Sequence, residues 1–336
     1  MSRSERFAEL GYAAGWRAVR LAPASVGAGL FRRGGELAAR RGGPGVQQLR
    51  ANLARVLAHG GAVPAAAELD ALVLAGMRSY ARYWHEVFRL PAMDPARLYS
   101  AMDARVGGVE HLERGLAQGR GVVAALTHSG NWDVAGAWLV RALASRGHPA
   151  TFVTVAERLR PDSLYRRFVG YREALGFEVL PADGGARTVA TLAARLRANR
   201  VVCLVADREL GPGGAEVNFF GEPARLPAGP AQLARHTGAA LLPFAGWFEP
   251  GGWGLRFQPP VPVAAGPTSS SVRQTTQALA DVFAADIGAH PADWHMLQPI
   301  WSADRAGADR VPESVPESVP DSVSDSGAGP PSRVAR

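Results

Sequence analysis

Residues 121–133 read Gly-Val-Val-Ala-Ala-Leu-Thr-His-Ser-Gly-Asn-Trp-Asp. The apolar run over 122–126 has the length of a buried strand, and a helical pattern begins near residue 132, after a turn that contains Gly130. A buried strand that leads directly into a helix is the repeating unit of α/β proteins. In open sheets of this kind, ligands bind at the carboxyl ends of strands, where a helix N-terminus offers unpaired N–H groups. The stretch therefore predicts an α/β fold with a functional site at this turn.

Apolar runs and helical patterns alternate along the rest of the chain. Strands are predicted over 122–127, 150–155, 177–180, 201–206, 240–246 and 253–258. Helices are predicted over 132–146, 161–175, 186–198, 227–237 and 272–288. The part of the chain before these elements has mostly helical periodicity. We therefore expect an α/β domain with a central mixed sheet flanked by helices, preceded by a helical N-terminal region.

The 336 residues divide into three expected regions. Residues 1–33 form an amphipathic, membrane-contacting helix region, with Ala8, Tyr12, Trp16 and Val19 on one face and Arg3, Arg6, Arg17 and Arg20 on another. The alternative for this region is an ordinary surface helix that packs on its own domain. Residues 34–303 form the α/β domain. Residues 304–336 repeat Val-Pro-Glu-Ser and close variants of it, which predicts a disordered tail.

The composition limits which classes of function are possible. Apolar residues make up 47% of the chain, and no apolar stretch is long enough to predict a membrane-spanning helix. The formal charge of +7 is carried by arginine, since the chain has no lysine, and it suits anionic lipid or phosphate-bearing ligands as well as nucleic acid. Cys203 is the single cysteine, which excludes an internal disulfide and a multi-cysteine metal site, and its apolar surroundings predict a buried thiol. No metal or resident cofactor is expected.

The turn itself carries a histidine and a carboxylate, His128 and Asp133. If the glycine-containing turn doubles back, Asp133 can reach one imidazole nitrogen of His128 while the other nitrogen faces a substrate. Such a pair acts as a general base that removes a proton from a hydroxyl group. The competing interpretation is that Asp133 caps the helix and that His128 is an ordinary histidine at a strand end.

An ordered set of segments resembles a known family, the bacterial acyltransferases that include lipid A late acyltransferases and, more closely, actinobacterial phosphatidylinositol mannoside acyltransferases. The hallmark His-x4-Asp is present as His128 to Asp133. The resemblance covers roughly residues 1–303 and also includes 80–91, 156–161, 171–173, 206–210, 217–223, 227–231 and 290–295. It implies a glycerolipid acyltransferase-like sheet and an acyltransferase activity.

Roles for individual residues follow from this resemblance. It implies His128 as the base, Asp133 as its orienting carboxylate and Glu209 as a third acid, with Asp207 as the second choice and Glu216 ranked lower. It also places Glu157, Arg172 and Arg208 in the substrate groove. Phe219 and Phe220 are expected to line a tunnel for the acyl chain.

The resulting hypothesis is an acyl-coenzyme A-dependent O-acyltransferase. It would move a long-chain acyl group, with palmitoyl expected, to a mannose of a phosphatidylinositol mannoside, and it would act as a peripheral monomer on the cytoplasmic face of the inner membrane. Another glycolipid or a lysophospholipid is an alternative acceptor. A serine hydrolase that uses Ser129 is disfavoured because Gly-x-Ser-x-Gly is absent. A nucleic-acid-binding protein is supported only by charge, and nucleic acid is not expected as a partner.

Overall fold

A computed structural model describes residues 15–61, 63–158, 162–209 and 213–304. Residues 1–14, which carry part of the predicted amphipathic face, and nearly all of the predicted tail lie outside the described residues. So do residues 159–161 of the segment 156–161 and residue 210 of the segment 206–210. The predicted fold class is confirmed, because a sheet of mixed strand direction lies between helices.

From residue 15 to the first strand the described chain is mostly helical, as predicted. After a helical stretch over 15–21 come α1 (Ala24–Arg41), α2 (Pro44–Ala58), α3 (Ala66–Arg89) and α4 (Pro95–Asp103). Helix α1 lies so close to α3 that a Cβ on Gly35 would stand 2.5 Å from the carbonyl oxygen of Met77. A glycine at this position therefore lets two helix backbones touch.

The orientation of the N-terminal helical region differs from the one expected. Trp16, assigned to a lipid-facing surface, is buried against Phe88 and Phe168, and its indole N–H donates to the Phe88 carbonyl at 3.0 Å. The exposed apolar side chains nearby are instead Leu21 before α1, and Val26, Leu30 and Leu37 on α1. Periodicity over 1–33 could not reveal which face the domain covers.

The α/β part contains the remaining elements. The helices are α5 (Val109–Ala117), α6 (Trp132–Ser145), α7 (Asp162–Ala174), α8 (Gly185–Arg197), α9 (Gly229–Thr237) and α10 (Thr268–Ala289). The strands are β1 (Val106–Gly107), β2 (Val122–Leu126), β3 (Phe152–Ala156), β4 (Phe177–Pro181), β5 (Val201–Val205), β6 (Ala215–Phe219), β7 (Glu222–Leu226), β8 (Ala240–Glu249) and β9 (Gly252–Phe257). All the strands and helices expected from the sequence are present, whereas β1 and the β6–β7 hairpin were not anticipated.

The sheet has the strand order β1-β9-β8-β2-β5-β3-β4, and only β8 and β9 pair in antiparallel fashion within it. Strand β2 is central and pairs with β5 in a register that places Leu126 opposite Val205. The two strands therefore end at the same level. The residues that follow them, His128 after β2 and Asp207 after β5, meet at one edge of the sheet.

Both faces of the sheet are buried. Val123 and Ala125 of β2 face one apolar cluster, which includes residues of α2, α8 and α10, while Val122 and Ala124 face a second cluster built with α4, α5 and α6. Burial on both faces explains why the strands read as continuous apolar runs. Cys203 on β5, predicted to be buried, is partly exposed, but its apolar surroundings raise the pKa of the thiol well above its ordinary value. None of the helices in the described ranges is both long and apolar enough to cross a bilayer.

Candidate active site

The site lies at the turn between β2 and α6. Gly130 has φ +61°, and a Cβ there would approach the backbone of Gly246 to 2.8 Å, so the turn requires glycine. Asn131 then caps α6, because its side-chain oxygen accepts a hydrogen bond from Val134 N–H at 3.1 Å. This turn leads from His128, at the end of β2, to Asp133 in the first turn of α6.

His128 is paired with the carboxylate of Asp207. Nδ1 of the imidazole lies 2.6 Å from Oδ1, and the backbone N–H of His128 donates to Oδ2 at 2.9 Å. Asp207 is completely buried, whereas the His128 side chain remains 21% exposed. Oδ2 accepts one further hydrogen bond, from the indole N–H of Trp294 at 2.8 Å. One carboxylate oxygen therefore faces the imidazole, and the other is held by two N–H donors.

The ionisation of Asp207 determines which imidazole nitrogen donates in this pair. Burial would raise the pKa of Asp207, but the charge of His128 and the hydrogen bonds from His128 and Trp294 outweigh it and lower that pKa. An ionised carboxylate only accepts hydrogen bonds, so Nδ1 of His128 is the donor in this pair and Nε2 is the nitrogen left for another partner. A histidine with one ring nitrogen held by a buried carboxylate and the other left free has the arrangement that general bases use.

Asp133 belongs to a different buried pair. Its oxygens accept hydrogen bonds from Nε of Arg172 at 2.7 Å and from Nη2 at 3.1 Å, and the Tyr83 hydroxyl donates to Oδ2 at 3.1 Å. Burial opposes the charge on Arg172, yet the adjacent Asp133 raises the pKa of that guanidinium, so the pair stays ionised. The pair ties the start of α6 to the last turn of α7.

These contacts correct the predicted pairing of the acids. The imidazole meets Asp207, the second choice for the third acid, and neither Asp133 nor Glu209 takes that place. Glu209 follows Asp207 and lies against Gly214, where a Cβ on the glycine would be 2.8 Å from Glu209 Cγ. The reason is the sheet register, which brings the residue just after β5 to the residue just after β2.

The C-terminal segment, defined here as residues 293–295, packs against the turn between β2 and α6. The Gly130 N–H donates to the Asp293 carbonyl at 2.9 Å, and the His295 N–H donates to the His128 carbonyl at 2.7 Å. Nε2 of His295 lies 2.8 Å from the Ser79 hydroxyl, which also donates to the Asp293 carboxylate at 2.6 Å. Burial, followed by the charge of His128, lowers the pKa of His295 to about 3. His295 is therefore a neutral structural group next to the site.

The other predicted residues have varied positions. Glu157 forms an ion pair with Arg208 at 3.1 Å, at the edge of the site, and 54% of the Glu157 side chain is exposed. Glu216 lies on β6. Phe219 and Phe220 are buried in the core, against Trp294 and Trp301. The two phenylalanines support the indole that contacts Asp207 and do not line the cavity described next.

An apolar cavity lies between α6 and the sheet. Its wall includes Trp132 and Asp133, which follow the turn after β2, and the ring of Trp132 packs edge-on against that of His128 with a centroid distance of 5.6 Å. Further lining residues come from several strands and from α6 and α7, among them Gly136, Phe152, Arg172, Phe177 and Phe244. The cavity therefore brings apolar surface next to the imidazole.

Two contributors to the site were missed by the sequence reasoning, Trp294 and Tyr83. Both lie in segments that carry the family resemblance, 290–295 and 80–91, and that overlap was the only signal available for them. An indole N–H or a phenol hydroxyl has no spacing rule that identifies its partner. Their partners became evident only from the packing of α3 and of the C-terminal segment.

Comparisons with known proteins identify the family of this chain. The family model described as bacterial lipid A biosynthesis acyltransferase matches residues 3–303. A protein of Mycobacterium tuberculosis (strain CDC 1551 / Oshkosh) named phosphatidylinositol mannoside acyltransferase is 55% identical over 301 residues, which is 89% of this chain and 90% of the relative. A protein of the same name from Mycolicibacterium smegmatis is 54% identical over 304 residues, 90% of this chain and 94% of the relative. The chain therefore belongs to the bacterial lipid A biosynthesis acyltransferase family and is an acyltransferase.

Proposed function

We propose that this acyltransferase transfers a long-chain fatty acyl group, palmitoyl in the first instance, from acyl-coenzyme A to a mannose hydroxyl of a phosphatidylinositol mannoside. The observation that carries the proposal is the pair of His128 and Asp207, 2.6 Å apart beside an apolar cavity. The glycolipid acceptor is supported by the activity for which both relatives are named.

The proposed reaction needs a base but no protein nucleophile. The mannose oxygen attacks the thioester carbonyl carbon while its proton passes to Nε2 of His128, and Asp207 stabilises the imidazolium that forms. The tetrahedral intermediate then collapses, the carbon–sulfur bond breaks, and the imidazolium returns the proton to the departing sulfur. The products are an ester and a free thiol, and His128 is restored.

The acyl chain is proposed to occupy the cavity behind Trp132. The cavity is about 70 Å³ in volume, so a long chain enters only when lining side chains change rotamer. Gly136 offers a test, because a Cβ there would lie 2.5 Å from the Phe177 ring. We expect Gly136→Ala to lower the rate with palmitoyl-coenzyme A more than with decanoyl-coenzyme A. Gly170→Ala on α7 is the matched control, since nothing lies within 4 Å of its Cβ position, and it should not change this ratio.

The proposed membrane contact is the exposed apolar row of α1, defined here as Val26, Leu30 and Leu37. Their exposed fractions are 53%, 62% and 47%, and Arg33 and Arg40 are exposed on the same helix. Apolar side chains next to arginine suit the interface of an anionic bilayer. Leu30→Asp should therefore weaken flotation with vesicles that contain phosphatidylinositol. Val189→Asp on α8, where the native side chain is 56% exposed, should leave flotation unchanged.

A serine hydrolase finds little support in the geometry. The Ser129 hydroxyl accepts a hydrogen bond from Thr127 at 2.8 Å, and Nδ1 of the adjacent His128 is engaged by Asp207. The remaining alternatives keep the chemistry and change the acceptor to another glycolipid or to a lysophospholipid.

The deciding experiment offers the purified protein palmitoyl-coenzyme A with each of three acceptors: a phosphatidylinositol mannoside, a different glycolipid and a lysophospholipid. Mass spectrometry of the products should show a palmitoyl ester on the mannoside, and the rate should fall to background with His128→Ala. Acylation confined to another acceptor would reject the assigned substrate. Undiminished transfer by a folded His128→Ala variant would reject the mechanism.

A further inference from the structure

Trp294 is a buried side chain that touches the catalytic pair without reaching the substrate side of it. Its exposure is 0%, and its indole N–H donates to Oδ2 of Asp207 at 2.8 Å. The residue lies in the C-terminal segment, and its backbone forms a β-bridge with Ser129, next to the base.

The hydrogen bond acts on the carboxylate oxygen that faces away from the imidazole. Oδ1 of Asp207 is used by Nδ1 of His128, whereas Oδ2 receives the backbone N–H of His128 and the indole N–H. A carboxylate with one oxygen held by two donors cannot rotate about its terminal bond without breaking both hydrogen bonds. The indole does not titrate, so it remains a donor to Oδ2 at every accessible pH.

Packing holds the indole in place. Its ring lies among Phe219, Phe220 and Trp301, with centroid distances of 6.3, 6.3 and 6.2 Å. Hydrogen bonds on either side of the β-bridge, from Gly130 to Asp293 and from His295 to His128, fix the backbone. The donor is therefore positioned by a rigid core and not by a mobile surface side chain.

We propose that Trp294 is a positioning residue that sets both the orientation and the basicity of the pair formed by His128 and Asp207. The proposal rests on the proposed function, in which this pair is the base. Removal of the indole donor leaves the carboxylate less stabilised, so the carboxylate holds the imidazolium proton more tightly. The base is then protonated at a higher pH, and the carboxylate no longer keeps one orientation.

The test is Trp294→Phe, measured by steady-state acyl transfer across a range of pH. We expect kcat to fall about ten- to a hundredfold, as for the loss of one hydrogen bond to a charged group, with little change in KM for either substrate. The acid limb of the kcat/KM profile should move to higher pH. A change in the pH profile distinguishes positioning of the base from a general loss of structure.

Trp301→Phe is the matched control. Trp301 has the same 0% exposure and stands in the same aromatic cluster, but its indole donates to the Phe219 carbonyl at 2.9 Å. This variant loses a buried hydrogen bond of similar length that does not involve Asp207. Its loss should appear mainly as lower thermal stability, and the acid limb of its pH profile should stay where it is in the parent protein.

A second variant covers the case in which Trp294→Phe does not fold. Site-specific replacement of Trp294 by 3-benzothienylalanine keeps the bicyclic shape and exchanges the N–H for sulfur. The same loss of kcat and the same shift of the acid limb to higher pH are expected. A parent-like kcat and pH profile in a folded variant that lacks the N–H would overturn the proposal, while His128→Ala still abolished transfer. If His128→Ala kept its activity, the proposed function itself would have failed.

Discussion

Two buried aspartates flank the same turn, and they differ in the charge that neutralises them. Asp133 is 1% exposed and faces Arg172, while Asp207 is 0% exposed and faces His128. A guanidinium keeps its charge at any accessible pH, whereas an imidazole gains and loses a proton near neutrality. A buried carboxylate beside arginine therefore holds elements together, and one beside histidine can take part in proton transfer. The partner of each aspartate therefore suits Asp133 to a structural role and Asp207 to the proposed proton transfer.

The largest expected effect comes from neutralising Asp207. Asp207→Asn should lower kcat by about 10³- to 10⁴-fold, because the imidazole loses both its tautomeric constraint and the charge that stabilises the imidazolium. Initial rates of acyl transfer measure the effect, and thermal melting checks that the variant is folded. A folded variant that keeps a tenth of the parent rate would show that this carboxylate is not the partner of the base.

Asp133→Asn should act on stability. It leaves the Arg172 guanidinium buried with its charge uncompensated, which costs about 3–5 kcal/mol of unfolding free energy. Denaturant titration measures the loss. Combining Asp133→Leu with Arg172→Met removes both charges and should recover much of it. Full stability in Asp133→Asn together with abolished kcat would instead assign Asp133 to the chemical step.

A smaller loss of unfolding free energy is expected from His295 as the pH falls. Its folded-state pKa of about 3 lies below the ordinary value of 6.5, so between these limits the unfolded chain binds more protons than the folded one. Stability should be fully present above the ordinary pKa and then decline by about 1 kcal/mol per pH unit on acidification. Urea unfolding at pH 7, 6 and 5 measures this slope, which His295→Gln should reduce. An unchanged slope in the variant would show that this histidine does not titrate on unfolding.

The smallest effect concerns the exposed ion pair of Glu157 and Arg208. Glu157→Gln should change stability by less than about 1 kcal/mol, because water screens an exposed pair. If Glu157→Gln and Asp133→Asn lost similar amounts of unfolding free energy, exposure would not determine how much each ion pair contributes to stability. If Glu157 contacts the substrate, the variant will alter KM while stability stays constant.

Local patterns were sufficient to predict most of the fold. Strands buried on both faces appear as apolar runs, so β2, β5 and β8 were found at nearly their observed bounds. The β6–β7 hairpin was missed because its turn places Phe220 at φ +52° and Gly221 at φ +85°. Asparagine or aspartate before glycine is the usual signal for such a turn, and a phenylalanine in that position gives none.

The site was predicted only in part, for a reason of geometry. His128 was identified because it stands at a recognisable junction of strand and helix. Its partner lies 79 residues away and was brought near by the pairing of β2 with β5, which no local spacing encodes. Asp133 is closer in sequence, but the start of α6 turns it toward Arg172.

The long sequence separations within the site have a consequence for synthesis of the protein. The indole donor lies a further 87 residues beyond Asp207, and contacts between such distant segments form late because loop closure costs entropy. A nascent chain therefore carries the histidine long before the carboxylate that orients it has been translated. On the proposed mechanism, His128 and Asp207 are fully positioned only after the segment that carries Trp294 has been synthesised and has packed against them.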